Sequence, residues 1–230
     1  LVSQSRGSED HETVNRVLLD GTRFLLAIAL PFLALLAYHA DDIIHLWVGP
    51  ELAGAVTPLR ILLLAVAFTS LQLNAANVLG MSGRHRQVAR IMLGSAATNL
   101  VLSLVLLHFI GLPGVAIGSL VSALVIEAGL VLPLACRTQG ITLTRFLRAS
   151  VLPTVGGLPV LIAVAWGLSH LQPVDSLAWL IVQATLAGLV YLAFFYLVGM
   201  RADERAMLQR GLQRLRRRPS DINPEAKSHA

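Results

Sequence analysis

Charged residues are scarce in this 230-residue sequence, in which Asp, Glu, Lys and Arg together make up 13%. Soluble domains carry about 25% charged residues. The deficit, together with 55% hydrophobic residues and a mean hydropathy of +0.70, excludes an ordinary cytosolic domain. The core is therefore expected to form between helices in lipid, where about 20 apolar residues suffice to cross a bilayer.

Reactive and metal-binding patterns are also missing. Cys136 is the single cysteine, which excludes an internal disulfide and any cysteine cluster. The spacing of His39, Asp41, Asp42 and His45 matches no metal site, and these residues are expected to lie in a solvated segment at a helix end. No HExxH, P-loop, GxSxG or paired-carboxylate motif occurs. The sequence therefore predicts neither an enzyme nor a bound metal or cofactor.

Long apolar runs are what the sequence does contain. Six stretches are long enough to cross a membrane, and they lie at about 18–38, 55–79, 88–109, 113–135, 151–168 and 177–198. Short loops join them, so neighbouring spans are expected to pack as antiparallel pairs. The predicted fold class is an all-α, polytopic membrane helix bundle with about six transmembrane helices.

Basic residues occur in every second loop. The segments 81–86 and 137–148 and the tail after Arg201 are basic, whereas the loops around Asp41, at 108–113 and around Asp175 contain no Lys or Arg. Since cytoplasmic loops collect Lys and Arg, both ends of the chain are predicted to be cytoplasmic. The net charge of +5 then suits membrane lipids with anionic headgroups and does not indicate nucleic acid.

Four segments follow from this pattern. Residues 1–17 are predicted to be a cytoplasmic amphipathic lead-in, 18–136 a four-helix bundle, 137–199 an additional transmembrane hairpin, and 200–230 a basic cytoplasmic amphipathic tail. The chain opens on Leu1 with no signal-peptide pattern, and we expect it to be the C-terminal portion of a longer protein.

Arg60 is the first candidate site residue, because it lies early in the second span. A charge within a span costs about 2.5–3.5 kcal/mol on insertion scales, so such a residue usually faces a partner or a cavity. One interpretation is that Arg60 binds an anionic substrate group through its bidentate guanidinium. The other is that it reaches the headgroups at the membrane surface.

Glu127 and Gln72 are the other candidate substrate-binding residues. Glu127 lies well within the fourth span, where it could pair with Arg60, titrate as a coupling carboxylate, or extend toward the inner interface. Gln72 lies about three turns below Arg60. Arg84 and Arg86 belong to a basic cytoplasmic loop, where they either set the topology or contact lipid phosphates or nucleotide-sugar-like groups.

Several short motifs carry a family resemblance. Residues 43–51 and 57–62 resemble an "ii-x-lW-x-G" segment followed by an "ap-x-lRiL" helix start, and residues 80–86, 99–104 and 109–116 resemble the "alGr-x-r", "lNlvlnl" and "fG-x-xGaa" motifs. In this order and spacing the motifs resemble the polysaccharide-biosynthesis family of lipid-linked oligosaccharide flippases. That family belongs to the multidrug/oligosaccharidyl-lipid/polysaccharide exporter (MOP) superfamily.

The resemblance implies two six-helix lobes around a central cavity, of which this chain would supply part of the C-terminal lobe plus an extra helical hairpin. It implies a flippase in the bacterial inner membrane whose partners are an undecaprenyl-pyrophosphate-linked glycan and the missing N-terminal lobe. A polysaccharide polymerase or glycosyltransferases are further expected partners. In our hypothesis, Arg60 would hold phosphate or an acidic sugar on the periplasmic side of the substrate cavity, and Gln72 and Glu127 would line the cavity or support coupling.

Two alternatives stay open. One is cation-coupled multidrug efflux by a transporter of the same superfamily. The other is a non-transporting scaffold that holds glycan-assembly enzymes through the basic tail at residues 201–218.

Overall fold

The computed structural model describes residues 13–172, 174–201 and 204–205, and every regular element among them is helical. Six helices are long and apolar enough to cross a membrane: α1 (Thr13–Tyr38), α2 (Pro50–Met81), α3 (His85–Ile110), α4 (Leu112–Thr138), α5 (Leu143–Leu171) and α6 (Leu177–Gly199). This confirms the predicted all-α polytopic bundle. The observed α5 begins eight residues before the predicted span at 151, because Thr142 caps it by accepting a hydrogen bond from the backbone N–H of Arg145.

Short turns join most of these helices and make sequence neighbours antiparallel. Gly83, with φ of +76°, lies between α2 and α3, and Gly111, with φ of +69°, separates α3 from α4. Residues with a side chain rarely adopt these backbone angles, so glycine permits the tight reversals. The longest described connection is helical itself and runs from Ala40–Ile43 through Ile44–Val48 to Gly49.

Glycines let α3 and α4 approach closely. A Cβ on Gly114 would lie 2.3 Å from the carbonyl oxygen of Leu106, and one on Gly118 would lie 2.6 Å from the hydroxyl of Ser103. Hydrogen bonds follow the same interface, since Asn99 accepts from Ser103 at 3.0 Å and from Ser119 at 3.3 Å. The hairpin of α3 and α4 therefore packs through a small-residue interface.

A break at Gly156 and Gly157 divides α5. A Cβ on Gly157 would lie 2.7 Å from the ring of Tyr191 on α6. The Tyr191 hydroxyl donates to the carbonyl oxygen of Thr154 at 2.9 Å, just before the break. The missing side chain thus makes room for an aromatic ring that ties the two helices together.

Two buried clusters hold the bundle together. One cluster joins the beginning of α1 to the last turns of α2 and α4 and to the first turn of α5. It includes Leu18, Leu79, Ala135 and Phe146. The other packs α1 against α5 and α6. The remaining helix surface exposes many large apolar side chains, as expected of a surface that faces lipid.

The two ends of the bundle differ in charge. Gln139 donates to the hydroxyl of Ser82 at 3.2 Å and so brings two basic turns together. We call this the arginine-rich end; its basic residues include Arg84, Arg86, Arg145, Arg148 and Arg201. The opposite, acidic end brings Asp41, Asp42 and Val174 around one pocket. The predicted cytoplasmic location of the arginine-rich end stays a prediction. The predicted lead-in before residue 13 and most of the basic tail lie outside the described residues.

Candidate functional site

Glu127 lies near the middle of α4, in the stretch Ser122–Val131 that is wound as a wider π-helix. Four other described segments are wound in the same way, so the winding alone does not mark a functional site. The wider turn lies beside α2 and α3, which both supply polar side chains to it. Three helices therefore converge on one carboxylate within the span.

The carboxylate accepts three hydrogen bonds. The Thr69 hydroxyl donates to Oε2 at 2.8 Å, the Gln72 amide donates to Oε2 at 3.4 Å, and the Ser95 hydroxyl donates to Oε1 at 3.1 Å. The hydroxyls of Ser95 and Ser122 lie 2.9 Å apart. We call these five residues the Glu127 cluster.

The cluster contains no basic group. In the part of the chain that the structure describes, every side chain bonded to Glu127 is uncharged. Gln72 is only 4% exposed, and its Oε1 has no hydrogen-bond partner among the described residues. The arrangement therefore offers several oxygen atoms and one negative charge, and its chemistry suits a proton or a small cation.

Arg60 is located away from this cluster. Its Nη2 lies 2.5 Å from Asp41 Oδ2, and its Nε donates to the Ala37 carbonyl oxygen at 3.0 Å. The pair is about half exposed at the acidic end. The predicted alternative in which Arg60 pairs with Glu127 is therefore not adopted, because the start of α2 lies beside the end of α1. Of the three candidate residues, the structure brings only Gln72 and Glu127 together.

Arg84 and Arg86 lie exposed at the turn between α2 and α3. With Gly83, His85, Gln87 and Arg90 they border an open pocket. Arg84 also donates to the Gln87 side chain at 3.4 Å. The site thus consists of one turn and the helix start that follows it, as expected of residues that set topology.

His39 differs from the sequence expectation. It was expected in a solvated segment, but it is 1% exposed because it packs edge-on against the Tyr38 ring at the end of α1. Its Nδ1 lies 2.9 Å from Asp42 Oδ2, and its Nε2 is buried with no hydrogen-bond partner among the described residues. The helical segment Ala40–Ile43, which the sequence patterns did not indicate, follows His39 and supplies Asp42.

His39 lines a groove between α1 and α6. The groove has a volume of about 480 Å³ and is otherwise almost entirely apolar, with Phe32 and Leu35 on one wall and Ile181 and Gly188 on the other. It follows α6 from Leu180 to Leu192, which is about 18 Å at 1.5 Å per residue.

Arg23 is a second buried polar residue that the sequence analysis missed. It is 1% exposed in α1, where it pairs with Glu204 and lies 3.6 Å from Asp20. The presence of Asp20 and Arg23 inside a predicted span was the available signal. These charges tie the beginning of α1 to the chain that follows α6.

Comparison with known protein families matches residues 1–105 to the MatE family. The match covers less than half of the chain and supports the resemblance to the MOP exporter superfamily. MatE is a family of transporters rather than of enzymes. No curated protein and no solved structure matches the chain. The helices and the family match together describe a multi-pass membrane protein.

Proposed function

We propose that the chain is part of a flippase that moves a lipid-linked oligosaccharide across the bacterial inner membrane. The observation that carries this proposal is the apolar groove between α1 and α6. The MatE match accounts for a transporter but leaves the substrate open, whereas the groove bears on the substrate's chemistry.

The length and polarity of the groove fit a polyprenyl chain. The hydrocarbon core of a bilayer is about 30 Å thick, so one leaflet is about 15 Å deep. The groove runs about 18 Å along α6 and therefore matches the depth of one leaflet. A compact drug would fill part of this length, whereas an isoprenoid chain such as that of undecaprenyl pyrophosphate fills all of it.

His39 supplies a polar contact at one end of this groove. Its Nδ1 lies 2.9 Å from Asp42 Oδ2, whereas its Nε2 is buried without a hydrogen-bond partner among the described residues, so a ligand would reach Nε2 only after the ring shifts. The residue lies at the acidic end, which we assign to the periplasmic side from the distribution of arginines. A carrier lipid in the groove would place its polar end near His39 when the glycan has reached that side.

The Glu127 cluster would couple transport to a cation or proton. A carboxylate in the middle of a span without a basic partner changes its local charge when it gains or loses a proton. That change would bias the packing of α2, α3 and α4 as the lobes rock in alternating access. In this proposal Gln72 and Glu127 line the cavity shared with the N-terminal lobe, and no enzymatic step is needed.

Cation-coupled drug efflux is the second candidate. It is favoured by the groove's lack of polar groups, since His39 and Thr185 are the only polar residues that line it. The scaffold hypothesis depends on the tail at residues 201–218, which lies mostly outside the described residues.

Deletion of the full-length gene in its source bacterium gives phenotypes that distinguish these candidates. We expect loss of surface polysaccharide and accumulation of the lipid-linked precursor. Susceptibility to lipophilic cationic drugs should not change. Restoration by the plasmid-borne wild-type gene is the control. Drug hypersensitivity with intact surface polysaccharide would contradict the flippase proposal and support efflux.

A further inference from the structure

A pocket at the arginine-rich end combines two distant parts of the chain. The first turns of α5 supply Thr142, Thr144, Arg145 and Arg148, and the chain after α6 supplies Arg201. The pocket has a volume of about 480 Å³, and no acidic residue lines it. Three guanidinium groups and two hydroxyls therefore face a common space, and all five are hydrogen-bond donors.

The arginines retain free donors. Among the described residues, Arg145 and Arg148 have no carboxylate within ion-pair distance. Arg201 lies 3.7 Å from Asp20, yet its side chain stays 55% exposed. Asp20 and Glu204 are already engaged by the buried Arg23, so the nearby acids leave the pocket with excess positive charge.

Contacts outside the pocket position Arg201. Its backbone N–H donates to Glu204 Oε2 at 2.8 Å, and Glu204 in turn pairs with Arg23 on α1. The Ser150 hydroxyl on α5 donates to the carbonyl oxygen of Leu19 at 2.8 Å. Both walls of the pocket are thus held against α1, so their separation is set by packing rather than by a loop.

An apolar surface borders the pocket. Leu143 and Leu147, 40% and 41% exposed, lie at the same level of α5 but do not line the pocket. Leu152 and Val155, one and two turns beyond Arg148, are 63% and 42% exposed. A ligand in the pocket would therefore have phosphate-binding donors at the start of α5 and an exposed apolar surface one turn further along the helix.

We propose that this pocket binds the phosphate of an anionic phospholipid, with the acyl chains lying along the exposed leucines of α5. Guanidinium groups bind phosphate oxygens in a bidentate manner, and basic pockets beside membrane-spanning helices recognise anionic headgroups. The exposed leucines favour a lipid over soluble phosphate as the source. A lipid bound here bridges the start of α5 and the chain after α6.

The test uses the full-length transporter purified in a mild detergent. Binding of phosphatidylglycerol and of phosphatidylcholine is measured by native mass spectrometry. We expect preferential retention of phosphatidylglycerol by the wild type. In the double variant Arg145→Gln/Arg148→Gln its affinity should decrease by about 30-fold, which is about fivefold for each arginine. The matched control is Arg84→Gln/Arg86→Gln, which removes the same charge from another turn at the same end.

Three results would overturn the proposal. One is an equal loss of affinity in both double variants, which would indicate a general effect of charge. Another is equal retention of the two lipids by the wild type. The third is displacement of phosphatidylglycerol by millimolar inorganic phosphate, which would identify a soluble anion as the ligand. Gel filtration of each variant checks folding. The double variant Arg145→Lys/Arg148→Lys keeps the charge and is expected to retain part of the preference for phosphatidylglycerol, even if the glutamine variant misfolds.

Discussion

The side-chain amide of Gln72 donates to the Glu127 carboxylate at 3.4 Å and joins α2 to α4 inside the bundle. The other amide atom of Gln72, Oε1, is buried without a hydrogen-bond partner among the described residues. A buried acceptor left in this state is costly in a folded protein. The buried Oε1 of Gln183 is in the same state, so an unpaired amide oxygen does not by itself mark a ligand site, and transport assays have to distinguish the two residues.

Replacing Glu127 by Gln is expected to abolish transport while leaving the fold intact. The amide keeps the size of the side chain but cannot change its charge. Precursor flipping in cells that carry the full-length variant should fall to the level of the deletion strain, with normal protein in the membrane. Glu51→Gln, at an exposed residue of the acidic end, is the matched control and should transport normally. Normal transport by Glu127→Gln would rule out the coupling role.

Gln72→Met is expected to reduce transport without destabilising the protein. The change removes one long hydrogen bond but also the unsatisfied acceptor, so the free energy of unfolding should change by less than about 1 kcal/mol. Thermal unfolding in detergent and flipping in cells measure the two effects.

Gln183→Met is the control for that experiment. Gln183 is 1% exposed and donates to the carbonyl oxygens of Gln172 and Leu168, at 2.9 and 3.4 Å. Its loss leaves two carbonyl groups without this donor, so this variant should be the less stable of the two. The opposite order of stability would show that Gln72 is a structural residue.

Gly114→Leu is expected to disrupt the contact between α3 and α4. Its Cβ would overlap the backbone of Leu106, and forced overpacking costs about 1–3 kcal/mol or more. The amount of folded protein recovered from membranes should fall sharply. Gly94→Leu provides the comparison, because a Cβ at Gly94 meets nothing within 4 Å. Equal recovery of both variants would contradict the close packing.

Arg60→Ala and Asp41→Ala are expected to have equal and small effects. Because Arg60 binds Asp41 and the end of α1, its geometry favours a tether between helices over a substrate contact. An exposed ion pair contributes about 0–1 kcal/mol, so flipping should stay near the wild-type rate in both variants. Loss of flipping in Arg60→Ala alone would instead assign Arg60 to the substrate phosphate.

The sequence predicted the helices well because membrane spans depend on local composition. All six appear. The partners of Arg60 and Glu127 were less predictable, since pairing across helices depends on how the helices are rotated. When a helix is apolar on every side, its hydrophobic periodicity does not predict which face it turns toward its neighbours.

His39 shows the same limit at a helix end. The polar residues around it are typical of a solvated segment, yet the ring is buried and lies against Asp42 of the next helical turn. Arg23 was visible as a charge within a predicted span, but Glu204 lies 181 positions away and no local pattern links the two.

The most direct test of the account fills the groove between α1 and α6. Gly188 lines it, and a Cβ there would lie 3.9 Å from Leu35, so a small side chain fits while Trp occupies the groove. Flipping of the lipid-linked precursor is measured in cells carrying the full-length transporter with Gly188→Trp, or with Gly167→Trp on α5, where a Cβ meets nothing within 4 Å. The account predicts loss of flipping in Gly188→Trp and normal flipping in Gly167→Trp, with equal amounts of both proteins in the membrane. Normal flipping with Trp at Gly188 would contradict the groove as the path of the lipid chain.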